Sequence, residues 1–472
     1  MNKDSLQLAA TTICNDELQF IWDTITKPYR LNDNLYLKRQ RMYESNARSY
    51  PRKFPIALQK AKGPFIMDTN GHVFMDCLSG AGSLALGHNH TVIIEAIQKS
   101  IDRNIPMLAL DMVSEVKDEF VQTLFEILPI EFRKEARIQF CSPCGTDAVE
   151  AAIKLAKIAT GRSSIFSFSG SYHGMTQGSL SITGNKFIRN QVPNLMSDVS
   201  FLPFPYHYRC PFGIGGLEAE KISLHYIENI LKDSHSGKSL PAAFILEAVQ
   251  GEGGTIPASP FWLKGIREIT KKYNIPLILD EIQSGIGRTG EMFSFEESGI
   301  IPDIMVLSKA IGGSLPLSVI VYNESLDKWS PGSHAGTFRG NQLAMATGTA
   351  VLKYIKENRI VENSKIKGFH MKKALLKLQK NYPFIGEVRG KGLMIGIEIV
   401  DSAVIPDALG SYPPNPKLAT EIQKTCLQNG LIVEIGGRDN CVLRLLPPLN
   451  INDKNANDIL KAFENVLISI KH

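Results

Sequence analysis

Apolar runs that stop at a single polar residue organise the middle of this chain. Residues 242–246 give way to Glu247, residues 275–279 to Asp280, and residues 304–307 to Ser308 and Lys309. Runs of this length, bounded by turn residues, predict buried strands. Each continues into glycine: Gly251-Glu252-Gly253-Gly254 after the first, Gly285 and Gly287-Arg288-Thr289-Gly290 after the second, Gly312-Gly313 after the third. Residues 148–157 carry apolar positions at helical spacing and predict a helix opening at Cys144-Gly145-Thr146-Asp147. Residues 63–71 read as a strand and turn, 342–354 as a long helix, 388–394 as a glycine-punctuated strand, and 442–448 as an apolar strand holding Arg444. Alternating strands and helices over residues 76–345 predict a large α/β domain with a mostly parallel sheet. Residues 1–75 then form an N-terminal arm and part of a smaller α+β domain, which residues 346–472 complete.

Composition narrows the class. A chain of 472 residues is too long for one small core and predicts two or three closely connected domains. The net charge of +5 is dispersed without a Lys/Arg block, which argues against nucleic-acid binding. No apolar run approaches a membrane span, and the N-terminus lacks the charged-then-apolar pattern of a signal peptide. Seven scattered cysteines suit reduced thiols, so a soluble, cytoplasmic protein is expected. Cys141-Ser142-Pro143-Cys144 has the CxxC spacing, but no second ligand pair accompanies it, so no metal site is predicted. Ser236-Gly237-Lys238-Ser239 looks like a P-loop tail, yet Lys232 stands where the motif needs glycine; a polar loop is expected.

In open α/β sheets, ligands sit at the carboxyl ends of strands, where Glu247, Asp280 and Lys309 fall. A lysine delivered into a desolvated turn tends to lose its proton and become nucleophilic. The small residues before the helix at Gly145 leave backbone N–H groups free, and the helix dipole favours an anion there, a phosphate above all. Tyr172, in Gly170-Ser171-Tyr172-His173-Gly174, can lie flat against a heterocycle. A lysine for an aldehyde, together with a carboxylate for a pyridine nitrogen, is what pyridoxal phosphate chemistry requires.

On these motifs the chain, from about Glu44 to its C-terminus, resembles the class III aminotransferases of PLP fold-type I. The resemblance implies the aspartate aminotransferase-like α/β fold, a pyridoxal 5'-phosphate cofactor and ping-pong transamination. It makes Lys309 the Schiff-base and proton-transfer residue, Asp280 the partner of the pyridine nitrogen, and Gln283 the neighbour of the phenolic oxygen. Gly145 and Thr146 hold the phosphate, with Cys144 where the family usually has serine, and Tyr172 covers the ring. Because the family moves protons with its lysine, His173 is not expected to be the base. Thr337, in His334-Ala335-Gly336-Thr337-Phe338-Arg339, would reach the phosphate of a neighbouring subunit, which implies a homodimer. Arg444 would grip the α-carboxylate of 2-oxoglutarate or glutamate, and Glu252 would pair with it when an amine donor is bound.

Residues 44–52, 79–90 and 172–178 resemble the branch of this family acting on 2,4-diaminobutyrate. Met175 stands where ornithine enzymes usually carry arginine. The implied reaction converts diaminobutyrate and 2-oxoglutarate to aspartate 4-semialdehyde and glutamate. The alternatives are another ω-amine donor (ornithine, lysine or 4-aminobutyrate) or an amino-acid epimerase on the same scaffold.

Overall fold

The computed structural model describes residues 15–470. The first fourteen residues of the expected arm, with the stretch judged for a signal peptide, and the last two residues of the chain lie outside them.

The three polar-ended strands are Ala243–Leu246, Leu277–Asp280 and Ile304–Leu307, adjacent at the centre of a seven-stranded sheet. Its order is Ala136–Phe140, Val319–Asn323, Ile304–Leu307, Leu277–Asp280, Ala243–Leu246, Ile165–Phe168, Val199–Leu202. Val319–Asn323 runs antiparallel to both neighbours, and the remaining pairs are parallel. Leu279 stands level with Leu246 on one side and Met305 on the other, so Glu247, Asp280 and Ser308-Lys309 leave the sheet at the same end.

All twelve residues of these three strands are buried, because both faces of the sheet are covered. Ile245, Ile278, Ile304 and Val306 pack with the helix Gly145–Thr160, while Phe244, Leu246, Leu277, Leu279, Met305 and Leu307 face the other core with Trp262. That two-residue alternation between cores is the strand period, hidden in sequence because both faces are apolar. Each fully buried Leu, Ile or Phe contributes about 1.5–3 kcal/mol. The helix ends at Gly161, whose φ of +69° closes it in the left-handed region.

Two four-stranded sheets and a two-stranded one, Val249–Gln250 with Ile256–Pro257, complete the strands among the described residues. Leu58–Lys62, Phe65–Asp68 and Val73–Asp76 pair antiparallel, and Leu431–Ile432 adds parallel to Val73–Asp76. The other four-stranded sheet has the order Ile385–Lys391, Met394–Ile399, Val442–Leu445, Glu434–Gly436, all antiparallel. The expected helix at 342 spans Gln342–Glu357, capped by the Asn341 side chain on the Ala344 N–H at 2.8 Å. Residues 236–239 form a loop without regular structure. Among the described residues, no helix is long and apolar enough to cross a membrane.

Two local expectations change. The strand read at 388–394 is a hairpin that turns at Gly392; glycine stands at both 390 and 392, and the sequence does not mark which of them ends the strand. Gly392 has φ +51°, and a methyl there would stand 2.5 Å from the Gly290 nitrogen and 2.7 Å from the Arg288 oxygen. Gly392→Ala is therefore expected to cost about 2–4 kcal/mol, seen as a lowered thermal midpoint; an unchanged midpoint would contradict the close packing. The strand around Arg444 stops at Leu445, ahead of Pro447 and Pro448, which lack N–H donors.

Candidate active site

Lys309 opens a tight turn, Lys309–Gly312, immediately after its strand, with φ +51°. A non-glycine residue in that region is uncommon and is held by its surroundings. Ser308 helps, its hydroxyl donating to the Leu317 carbonyl at 2.8 Å. Burial and the nearby Arg444 charge push the Lys309 amine down to about 8, while Asp280, Glu247 and Glu252 pull the other way. A neutral, nucleophilic fraction thus exists near neutral pH.

Asp280 is the last residue of its strand and is 4% exposed. One oxygen lies 2.7 Å from His173 Nδ1, and the other accepts the Ile282 N–H at 3.0 Å. His173 Nε2 is buried with no hydrogen-bond partner among the described residues. Glu247 accepts the N–H groups of Tyr172 at 3.0 Å and Gly251 at 2.8 Å, fixing the two loops that carry Tyr172 and Glu252. Burial raises the Glu247 carboxyl to about 7; the Asp280 charge adds, and His173 and the two N–H donors oppose.

Gln283 donates to the Ala81 carbonyl at 3.0 Å, and its own Oε1 is buried without a partner. Gly251 packs so closely on that oxygen that no side chain fits there. Cys144 precedes the helix without a side-chain cap; the Asp147 N–H donates to the Cys144 carbonyl at 3.1 Å, which leaves the N–H groups of Gly145 and Thr146. Gly145 lets the helix start approach the Asp280 turn; a methyl on it would come within 2.7 Å of Ile282 Cδ1. Thr146 Oγ1 lies 2.7 Å from Thr176 Oγ1 and accepts the Thr176 N–H at 3.2 Å. Tyr172 is half-buried, and burial and the charges of Glu252, Glu247 and Asp280 raise its phenol. An uncapped helix start, an unpartnered amide oxygen, a buried carboxylate and a low-pKa lysine form a donor set that fits a phosphorylated pyridine aldehyde.

Arg444 is 3% exposed in the strand Val442–Leu445. Its Nη2 lies 2.6 Å from Glu252 Oε2 and 3.9 Å from Glu434 Oε2, while Nε and Nη1 have no hydrogen-bond partner among the described residues. Glu252 is 41% exposed, so the outer side of the pair faces solvent. Tyr50 belongs to the same cluster, with partial burial and the Glu434 charge raising its hydroxyl to about 12. Lys53 adds a contact to Glu434 at 2.9 Å. Sequence reasoning missed Tyr50, Lys53 and Glu434 as neighbours of Arg444. The one available signal was a carboxylate, Glu434, inside the apolar stretch 431–435, and only the register that sets it opposite Arg444 gives it meaning.

Thr337 is placed apart. It is exposed and lines a surface cavity of 850 Å³ with Lys117, Phe140 and Arg339. Its loop is tied to the helix Gly145–Thr160 by Asp147, which lies 3.3 Å from His334 Nε2 and 3.5 Å from Arg339 Nη1. Burial opposes the Asp147 charge, but the His334 hydrogen bond, the Ser142 N–H and Arg339 hold its carboxyl at about 2. Cys141, Asp147 and His334 converge with ligand atoms within 4.8 Å, a grouping the CxxC spacing did not anticipate. The cations of Lys154 and Arg339 lie against the same His334 and Asp147 and take the place of a metal's charge.

The sequence model of the family Aminotransferase class-III matches residues 46–467. The Diaminobutyrate--2-oxoglutarate aminotransferase of Rhizobium meliloti (strain 1021) is 52% identical over 437 residues, 93% of either chain. The protein of the same name from Haemophilus influenzae is 48% identical over 433 residues, 92% of this chain and 95% of that one. Among solved structures, a PLP-bound amine transaminase from an uncultivated Pseudomonas species superposes with a TM-score of 0.80 at 26% identity. That match covers 90% of this chain and 97% of the other.

Proposed function

Since the chain belongs to the class-III aminotransferases, we propose that it transfers an amino group between L-2,4-diaminobutyrate and 2-oxoglutarate, with pyridoxal 5'-phosphate as cofactor. The products are L-aspartate 4-semialdehyde and L-glutamate, exchanged by a ping-pong sequence. The observation that carries the two-substrate reading is the buried Arg444 paired at 2.6 Å with the half-exposed Glu252.

In this reading Lys309 would hold the cofactor's aldehyde until the donor's amine displaces it, and the freed lysine amine would then take a proton from the substrate carbon and give it back to the cofactor side. When bound, pyridoxal phosphate supplies an electron sink for the charge left on that carbon. Asp280 keeps the ring nitrogen protonated, and His173 holds the carboxylate in register for it. The N–H groups at Gly145 and Thr146 would receive the phosphate, Tyr172 would cover the ring, and Gln283 would meet the phenolic oxygen. With the amine donor bound, Glu252 neutralises Arg444. When Glu252 turns outward, the guanidinium is left to grip the keto acid's carboxylate with two parallel hydrogen bonds.

Thr337 serves the phosphate of a partner subunit in a homodimer. Its exposure supports this, as do the exposed apolar side chains of Met107, Leu108, Leu110, Met112 and Phe338. The fold divides at about residues 75 and 345, with the N-terminal arm and C-terminal segment sharing the small domain, in a cytoplasmic enzyme.

The test is a half-reaction without keto acid, offering the loaded enzyme L-2,4-diaminobutyrate, ornithine, lysine or 4-aminobutyrate separately. Fast conversion of the cofactor by diaminobutyrate alone, with release of aspartate 4-semialdehyde, is expected. Conversion by another amine only would keep the family and replace the donor. Scrambled stereochemistry without conversion would make the enzyme an epimerase.

A further inference from the structure

Arg444 sits in a line of alternating charge that continues beyond Glu252. Behind it Glu434 is 3% exposed, with Oε2 buried, unpartnered and 3.9 Å from Arg444 Nη2. The other oxygen of Glu434 is held at 2.9 Å by Lys53 Nζ, which also donates to the Ile435 carbonyl at 3.0 Å. Lys53 ends the short helix Tyr50–Lys53 and is partly exposed, whereas Arg444 and Glu434 are buried.

A buried carboxylate with one free oxygen this near a guanidinium has a shorter, two-point arrangement open to it. Lys53 holds it back from that arrangement. Lys53 and Arg444 each carry one positive charge and Glu434 one negative, so the trio keeps a single positive charge once Glu252 turns outward. That is the charge an entering carboxylate needs. Without Lys53, Glu434 and Arg444 close into a neutral pair, and the keto acid's carboxylate must be buried uncompensated.

We propose that Lys53 sets how strongly Arg444 attracts the acceptor's carboxylate, by drawing the buried Glu434 away from the guanidinium. Lys53 and Glu434 are thus positioning residues of the acceptor phase. The inference rests on the reading of Arg444 as the acceptor's anchor.

The experiment measures binding of glutarate, an unreactive dicarboxylate, to the PLP-loaded enzyme by calorimetry, alongside the rate of the amine half-reaction. Lys53→Met, and Lys53→Gln, which keeps a donor for the Ile435 carbonyl, are each expected to weaken glutarate about tenfold, as for a lost interaction between charged groups. The amine half-reaction should stay within about twofold. The decisive arm is Lys53→Met combined with Glu434→Gln: Arg444 is then the trio's one charge, and glutarate affinity returns to within about threefold of the native value. A merely structural role for Lys53 gives no such recovery. Unchanged affinity in both single variants, or a double variant as weak as the single, overturns the proposal. Arg444→Met separates the two levels. If it leaves glutarate binding intact, the anchor reading itself fails. If it weakens binding while the Lys53 variants do not, only the role of Lys53 fails.

Discussion

Lys309→Ala is expected to abolish transamination, with a loss of about 10⁴-fold or more in the rate of glutamate formation. Two functions leave with one side chain: the amine that captures the cofactor's aldehyde and the group that moves the proton. The site offers no ready substitute. The His173 imidazole is committed to Asp280 at 2.7 Å, and Glu247 is engaged by two backbone N–H groups. Cofactor should still bind the variant noncovalently through the helix start at Gly145, so absorbance and activity separate binding from chemistry. Turnover within a hundredfold of the native rate would remove Lys309 from the mechanism. The native apoenzyme offers a companion readout. The amine is depressed to about 8, and its neutral form is the reactive one. Cofactor capture should therefore accelerate as pH rises through about 8 and level off above it. An ordinary lysine would keep accelerating to beyond pH 10, as its unperturbed value requires.

Asp280→Asn is expected to lower kcat by about 10²–10³ while leaving the KM for 2-oxoglutarate within about threefold. Asparagine keeps the size and one acceptor oxygen but not the negative charge that keeps a ring nitrogen protonated. The anchor proposed for the acceptor is Arg444, so its binding should be spared. Both half-reactions should slow together, because each passes through the same charge build-up on the substrate carbon. A variant with a raised KM and a native kcat would show that Asp280 shapes the pocket instead of the chemistry.

The sequence made the strand ends legible and left their company obscure. Glu247, Asp280 and Lys309 could be read because a buried parallel strand is a bare apolar run and its first polar residue stands out. The helix at Gly145 was legible for a related reason, since its seven buried positions recur at helical spacing. Gly392 was not, because Gly390, two residues earlier, stays inside the strand and the sequence does not tell the two glycines apart. The pair Glu434 and Arg444 could not be found from spacing either: ten residues separate them in the chain, and only the register of two antiparallel strands makes them opposite. Lys53 lies 381 residues from its partner, beyond any local pattern. Thr337 marks a further limit, because its loop faces outward and the role proposed for it needs a second chain.

The strand Leu431–Ile432 has a consequence for the order in which the protein is made. It is the parallel neighbour of Val73–Asp76, so the small sheet begun at residue 58 lacks its last strand until residue 432 has left the ribosome. The central seven-stranded sheet, complete at residue 323, can close while the remainder is still being synthesised. Pairing across such a sequence separation is slow, and the early strands wait with an unpaired edge. A nascent chain stalled before residue 431 would therefore hold Lys309, the proposed aldehyde-binding residue, and lack Arg444, the proposed carboxylate anchor. Birth of the protein thus separates the two halves of its chemistry in time.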